Sequence, residues 1–150
     1  MAEIGFYHLT RTPLERALPQ LLEKIHGSGA RAVVMAGSAE RVDTLNAALW
    51  TFDAASFLPH GATRDGNPES QPIWLTAEDE NPNQSTFLVL TDGASSENVG
   101  KYERCFEMFD GHDERALAAA RTSWKTYRDA GHDLTYWQQT EQGGWEKKYV

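Results

Sequence analysis

IGFYHLTRTPLERALPQLLEKIHGSGARAVVMA, residues 4–36, sets the fold class, because it predicts a strand, a helix and a second strand in succession. Its first six residues are rich in aromatic and branched side chains, as expected of a buried strand. Thr12 is the expected helix N-cap, and apolar residues then recur at helical spacing until Gly27 or Gly29. Residues 30–36 are apolar again except for Arg31, and they form the second predicted strand.

The middle of the chain continues this alternation. A second helix is predicted after Gly37, and strands at residues 73–76 and 87–91 follow a long loop. Residues 104–109 alternate apolar and polar side chains, which predicts a half-buried strand. Strands alternating with helices predict an α/β fold with a largely parallel sheet.

A long helix follows the last of these strands. Asp110 or Asp113 is its expected N-cap, and Gly131 stands where a glycine commonly ends a helix. Its apolar row, at three- and four-residue spacing, consists of Leu117, Ala120, Trp124 and Tyr127. Its cationic row, directly beside the first, consists of Arg121, Lys125 and Arg128. Two interpretations follow: a solvated edge of an amphipathic helix, or a groove where cations hold carboxylates beside an apolar pocket.

Length and composition are those of a globular protein. The 150 residues fit one domain, residues 1–150, and 40% of them are hydrophobic. No apolar run approaches the roughly 20 residues that span a bilayer, and the first ten residues lack the pattern of a secretory signal. The single cysteine, Cys105, cannot form an internal disulfide. These features predict a cytoplasmic protein without a membrane segment.

The charge distribution narrows the class of ligand. The chain carries 14 Lys and Arg against 22 Asp and Glu, a formal net charge of -8, which argues against general nucleic-acid binding. Cations and large aromatics nevertheless gather in residues 121–148. Such a patch, on a chain that repels polyanions overall, predicts an acidic peptide with an apolar end as its ligand.

No motif for catalysis, cofactor binding or metal binding is complete. Residues 93–101 read GASSENVGK, but six residues separate the two glycines instead of four, and Tyr102 replaces the hydroxyl residue of a phosphate loop. The five histidines include no pair at the close spacing of a metal-binding helix. Cys105 lies on an apolar strand, as an inert buried thiol does. The sequence therefore predicts no enzyme, no cofactor and no metal.

Large apolar residues also occur at the end of the second helix and in the loop after it. ALWTFDAASFLPH, residues 48–60, includes Trp50 and Phe57. Either these aromatics fold back as a lid over the core, or they form an exposed apolar patch for a partner chain. The sequence leaves both interpretations open.

Five segments stand out along the chain: FYHL at 6–9, ALWTFDAASFLPHG at 48–61, PIWLT at 72–76, CFEMFDG at 105–111 and AARTSWKTYRDAGHDLTYWQQ at 119–139. In this order, and over nearly the whole chain, they resemble the chi subunit family of bacterial DNA polymerase III, whose members are accessory proteins of the clamp-loader complex. The resemblance implies a single Rossmann-like domain of three layers, with helices on both faces of the sheet. It also implies no phosphate-binding loop and no catalysis.

The resemblance further implies two protein partners. Members of the family pair with the small psi subunit, whose contacts correspond to Trp50 and Phe57 here. The same surface is a candidate site for a helicase-like protein. Members also bind the acidic C-terminal tail of single-stranded DNA-binding protein, which ends in a phenylalanine carboxylate. The residues expected to bind that tail are Arg121, Trp124, Lys125 and Arg128. On this hypothesis the protein is a non-catalytic bridge with little direct DNA binding.

Two other functions stay open at this stage. Trp124, Trp137 and Trp145 are candidate stacking platforms for direct binding of single-stranded nucleic acid. A small nucleotide-dependent enzyme is less favoured, because the phosphate loop is incomplete. Residues 140–150 extend beyond the matching segments, and the sequence leaves open whether Trp145 packs on the domain or belongs to a mobile C-terminal tail.

Overall fold

The computed structural model describes residues 2–51, 59–62 and 65–148. The strands are β1 (Glu3–Leu9), β2 (Ala32–Met35), β3 (Gly61–Ala62), β4 (Ile73–Thr76), β5 (Phe87–Leu90), β6 (Arg104–Asp110), β7 (Asp133–Gln139) and β8 (Trp145–Lys148). The α-helices are α1 (Leu14–Gly27), α2 (Ala39–Thr51) and α3 (Glu114–Asp129). Among the described residues, no helix combines the length and apolar character needed to cross a membrane.

All eight strands join one sheet in the order β3-β4-β2-β5-β6-β1-β7-β8. Every neighbouring pair is parallel except β7 and β8, which are antiparallel. The predicted α/β fold with a largely parallel sheet is confirmed. The strand order also separates β1 from β2 by two other strands, although a single helix joins them in the sequence.

Helices cover both faces of this sheet. On one side, here called the α1 face, α1 and α2 pack together and bury Leu18, Leu22 and Leu45. On the other side, the α3 face, Tyr127 of α3 packs against Phe6. Because successive strand residues point to opposite faces, Phe6 and its neighbours divide between two separate hydrophobic cores. The result is the expected three-layer arrangement of helix, sheet and helix.

The helix caps confirm one prediction and correct another. The Asp113 carboxylate caps α3, accepting hydrogen bonds from the backbone N–H groups of Arg115 and Ala116 at 2.9 and 3.3 Å. Thr12 is not the N-cap of α1, because that position belongs to Pro13 and no side chain caps the helix. The Thr12 hydroxyl instead accepts a hydrogen bond from the Gln139 amide at 2.9 Å.

The predicted strand at residues 104–109 is confirmed as β6, but the prediction that it is half-buried is wrong. β6 lies inside the sheet between β5 and β1 and has helices on both faces, so every residue from 105 to 109 is buried. The polar position that suggested exposure, Glu107, is only 4% exposed. The expected burial of Cys105 is confirmed, and that burial raises the pKa of its thiol to about 12.

The C-terminal part contains two strands that the sequence prediction lacks. β7 pairs with β1, and β8 pairs with β7 at the edge of the sheet. Trp145 of β8 packs edge-on against Tyr7, with ring centroids 5.1 Å apart. The two-residue strand β3, inside the long predicted loop, is also new. These strands place further aromatic side chains beside α1 and α3.

Candidate functional site

A groove of about 590 Å³ lies between α3 and the end of the sheet that contains β1, β7 and β8. We call it the α3 groove, and its lining residues are His8, Phe109, Leu117, Ala120, Arg121, Trp124, Tyr136, Gln138 and Lys148. They come from one helix and four strands, which meet here because β1 stands between β6 and β7. The sheet topology therefore creates this groove.

Aromatic rings hold one another in place along its wall. Trp124 meets Phe6 edge-on at 5.1 Å between ring centroids and Tyr136 at 6.0 Å. Tyr136 in turn lies 6.2 Å from Phe109. These edge-to-face contacts add to simple apolar burial, so they fix the positions of the rings. The wall is consequently formed before any ligand arrives.

A polar pair lies within this aromatic wall. The His8 Nδ1 atom and the Tyr136 hydroxyl oxygen are 2.7 Å apart. Burial lowers the pKa of the His8 imidazole, His112 lowers it further, and the charge of Asp110 opposes both effects. A methyl group on Gly111 would collide with the His8 ring, so the absence of a side chain there leaves room for this pair.

Two cations reach the α3 groove from opposite sides. Arg121 lies on α3, three residues before Trp124, so both side chains share one helix face. Burial raises the pKa of the Tyr136 hydroxyl, and the nearby charge of Arg121 partly offsets that rise. Lys148 of β8 forms the other wall, with its Nζ atom 3.4 Å from Glu146 Oε1. An anion entering the groove would therefore meet positive charge beside aromatic rings.

The structure does not bring all four expected tail-binding residues into the groove. Arg121 and Trp124 line it, whereas Lys125 and Arg128 are exposed outside it. The Arg128 Nε atom lies 3.7 Å from Asp129 Oδ1, in an ion pair that solvent largely surrounds. The cationic row thus divides into one groove residue and two surface residues.

Sequence reasoning missed five of the lining residues: His8, Phe109, Tyr136, Gln138 and Lys148. A signal for two of them exists in DLTYWQQ, residues 133–139, where alternate positions share one face of a strand. Tyr136 and Gln138 both point to the α3 face for that reason. Lys148 gave no such signal, because its place depends on the pairing of β8 with β7.

Comparison with known proteins gives the family. A family model described as DNA polymerase III chi subunit, HolC, matches residues 1–135. The chain belongs to the DNA polymerase III chi subunit family. A similar protein is the "Probable DNA polymerase III subunit chi" of Rickettsia prowazekii (strain Madrid E), with 33% identity over 110 residues. That alignment covers 71% of this chain and 67% of the relative. The resemblance seen in the sequence is confirmed: this chi-family chain is a replication accessory subunit with partners in the polymerase III complex.

Trp50, one of the two aromatics expected to contact psi, lies near the end of α2. Its side chain is 54% exposed, and its ring centroid is 4.5 Å from that of His60. The interpretation in which it covers the core as a lid is therefore wrong for Trp50. Phe57 lies outside the described residues.

In this chi-family chain, the backbone N–H groups of the turn between β1 and α1 donate hydrogen bonds within the protein. The Gln139 side-chain oxygen accepts hydrogen bonds from the N–H groups of Thr10, Arg11 and Thr12 at 3.2, 2.9 and 3.1 Å. In nucleotide-binding α/β domains the corresponding turn directs such groups at a phosphate. The incomplete phosphate loop, residues 93–101, is likewise held by internal hydrogen bonds, because Asp79 accepts hydrogen bonds from Ser96 and Glu97.

The three tryptophans considered as stacking platforms do not form one row. Trp124 belongs to the α3 groove, whereas Trp137 and Trp145 lie in a different cavity beside α1. The sheet separates the two sets. A continuous strand of nucleic acid could not stack on all three rings along one face.

Proposed function

We propose that this chi subunit is a non-catalytic bridge between psi and the C-terminal tail of single-stranded DNA-binding protein. Arg121 and Trp124 share one apolar groove, and this observation carries the proposal for the tail. A guanidinium group binds carboxylates through paired hydrogen bonds, and the rings beside it can bury an apolar side chain. Both features suit an acidic peptide that ends in a phenylalanine carboxylate.

Each groove residue takes a separate role in this proposal. The terminal ring of the tail packs against the wall formed by Trp124, Phe109 and Tyr136, whose own rings already contact one another. Arg121 binds the terminal carboxylate or a tail aspartate. Lys148 offers a second cation from the opposite wall. Lys125 and Arg128 lie outside the groove and add positive potential for the acidic residues that precede the end of the tail.

Calorimetric titration of a synthetic tail peptide against Arg121→Ala tests this site. Loss of one charge-assisted contact should cost about 1.5–3 kcal/mol, which is roughly a ten- to hundredfold loss of affinity. Lys125→Ala is the matched control, because it removes the same charge from the same helix outside the groove. We expect a smaller loss for this control. An Arg121→Ala protein that binds the peptide as well as the wild type would remove Arg121 from the site.

The exposed ring of Trp50 supports the second half of the proposal. An exposed tryptophan at a helix end is the kind of residue that dominates protein interfaces. The double variant Trp50→Ala, Phe57→Ala should fail to copurify with psi. Retained copurification would show that these aromatics do not hold psi.

A further inference from the structure

A second groove, of about 410 Å³, lies on the opposite face of the sheet. We call it the α1 groove, and the lining residues that matter here are Tyr7, Lys24, Arg104, Phe106, Trp137 and Trp145. α1 packs over β2 and β6 rather than over β7 and β8. Trp137 and Trp145 therefore remain partly exposed at the side of the sheet that α1 leaves open.

Aromatic rings form the floor and one side of the α1 groove. Tyr7 and Trp137 are nearly parallel, with ring centroids 6.3 Å apart and an angle of 12° between their planes. Trp145 meets Tyr7 edge-on at 5.1 Å. Gly5 leaves space beneath Tyr7, because a Cβ atom there would lie 2.8 Å from the tyrosine ring. The groove thus has a preformed apolar surface large enough for one side chain or two.

A partly buried guanidinium group stands at one end of this surface. The Arg104 Cζ atom lies 5.0 Å from the Phe106 ring centroid and 5.8 Å from that of Phe87. Within the described part of the chain, the guanidinium forms neither an ion pair nor a hydrogen bond, and this includes its cross-strand neighbour Glu3. Stacking on aromatic rings leaves its N–H donors free. Lys24, in the last turn of α1, adds a second cation.

We propose that the α1 groove is a second protein-docking site, which takes an acidic segment with an aromatic anchor residue. The carboxylate of the segment binds Arg104, and its ring packs against Trp137 and Trp145. Charge complementarity supports this occupant, because the groove pairs two cations with an apolar floor on a chain of net charge -8. A nucleic-acid strand would need a longer cationic track, and the overall negative charge would repel it. Since the sheet separates the two grooves, both can be occupied at once.

The tryptophan indole N–H signals in nitrogen-15 NMR spectra test the proposal on the whole chain. The probes are N-acetylphenylalanine, which carries a carboxylate, and N-acetylphenylalaninamide, which does not. We expect the carboxylate probe to shift the Trp137 and Trp145 signals at millimolar concentration. The amide probe should bind about tenfold more weakly. Arg104→Met should abolish this preference, and Arg104→Lys should retain part of it. Arg16→Met, at an exposed position on α1, is the matched control and should behave as the wild type.

The same spectra separate this site from the α3 groove. Arg121→Met should leave the shifts at Trp137 and Trp145 unchanged, even where it weakens those at Trp124. Equal binding of the two probes at the α1 groove, or an unchanged preference in Arg104→Met, would overturn the proposal. Shifts at Trp124 alone would do the same. If oligothymidylate perturbed Trp137 and Trp145 at lower concentration than the carboxylate probe, the groove would belong to nucleic acid instead.

Discussion

At Glu107 a carboxyl group is buried on the α3 face of β6, where its Oε2 atom has no hydrogen-bond partner. Burial raises the pKa of this group from an ordinary value of 4.5 to about 8, and the Ser123 hydroxyl opposes the rise to a smaller extent. A buried carboxylate without a cation is costly, so the group stays protonated at neutral pH. The packing of α3 on β6 is therefore coupled to the protonation of Glu107.

We expect the contribution of Glu107 to the free energy of unfolding to fall as the pH rises from about 4.5 to about 8. Over that range the folded state holds a proton that the unfolded state releases, so the free energy of unfolding decreases with pH. Glu107→Gln keeps the shape of the side chain and cannot ionise, so it should lack this part of the pH dependence. Denaturant unfolding of both proteins across this pH range measures the difference in pH dependence. Parallel stability curves for the two proteins would contradict the prediction.

At the scale of secondary-structure elements, the placement of α3 and β8 determines what the α3 groove contains. α3 begins at a well-formed Asp113 cap and presents Arg121 and Trp124 on one face. β8 contributes Lys148 only because it pairs with β7, with Tyr136 opposite Lys148. The strand carries one further anchor, Trp145, whose ring packs on Tyr7 on the other face.

Trp145→Ala should destabilise the protein by about 1–3 kcal/mol, less than a fully buried aromatic, because Trp145 is only partly buried. Glu146→Ala, at an exposed neighbouring position of the same strand, is the control and should change stability little. Chemical denaturation measures both. If the two variants were equally stable, Trp145 would belong to a C-terminal tail that contributes nothing to the fold.

Across the whole molecule, one sheet takes strands from residue 3 to residue 148. We therefore expect residues 1–150 to unfold as a single domain, in one cooperative transition. Circular dichroism and tryptophan fluorescence should give coincident denaturation curves, because the five tryptophans include residues of α2, α3, β4, β7 and β8. Curves with different midpoints would show that part of the chain folds independently.

Net charge and local charge act on the tail in opposite directions. The chain as a whole carries -8 and repels an acidic peptide, whereas Arg121 attracts it at short range. Screening operates over about 10 Å at 0.1 M salt and about 3 Å at 1 M. We expect the affinity for the tail peptide to fall as salt rises between these concentrations, and to fall less steeply in Arg121→Ala. Identical salt dependence in the two proteins would mean that Arg121 is not the attracting charge.

Local patterns predicted most element types correctly, because strand and helix periodicities are properties of near neighbours. β1, α1, β2, β4 and β5 are all visible in the sequence for that reason, and so is the Asp113 cap. The shared groove of Arg121 and Trp124 is predictable too, since the two residues lie three positions apart on one helix. Family membership also followed from the sequence, because its matching segments extend along nearly the whole chain.

Contacts between distant segments determine the strand order, the burial of β6 and the lining of the grooves. Local sequence patterns do not contain those contacts. The polar residue Glu107 indicated a solvent-facing side of β6, but neighbouring strands and α3 bury it. In the sequence, Gln139 is an ordinary polar residue. In the structure, its side-chain oxygen accepts hydrogen bonds from backbone N–H groups of the turn that follows β1, more than a hundred residues earlier in the chain. Residue types and their periodicity establish the fold class, the cationic helix and the family. The strand order, which depends on how the two hydrophobic cores are buried together, establishes which side chains form the two grooves.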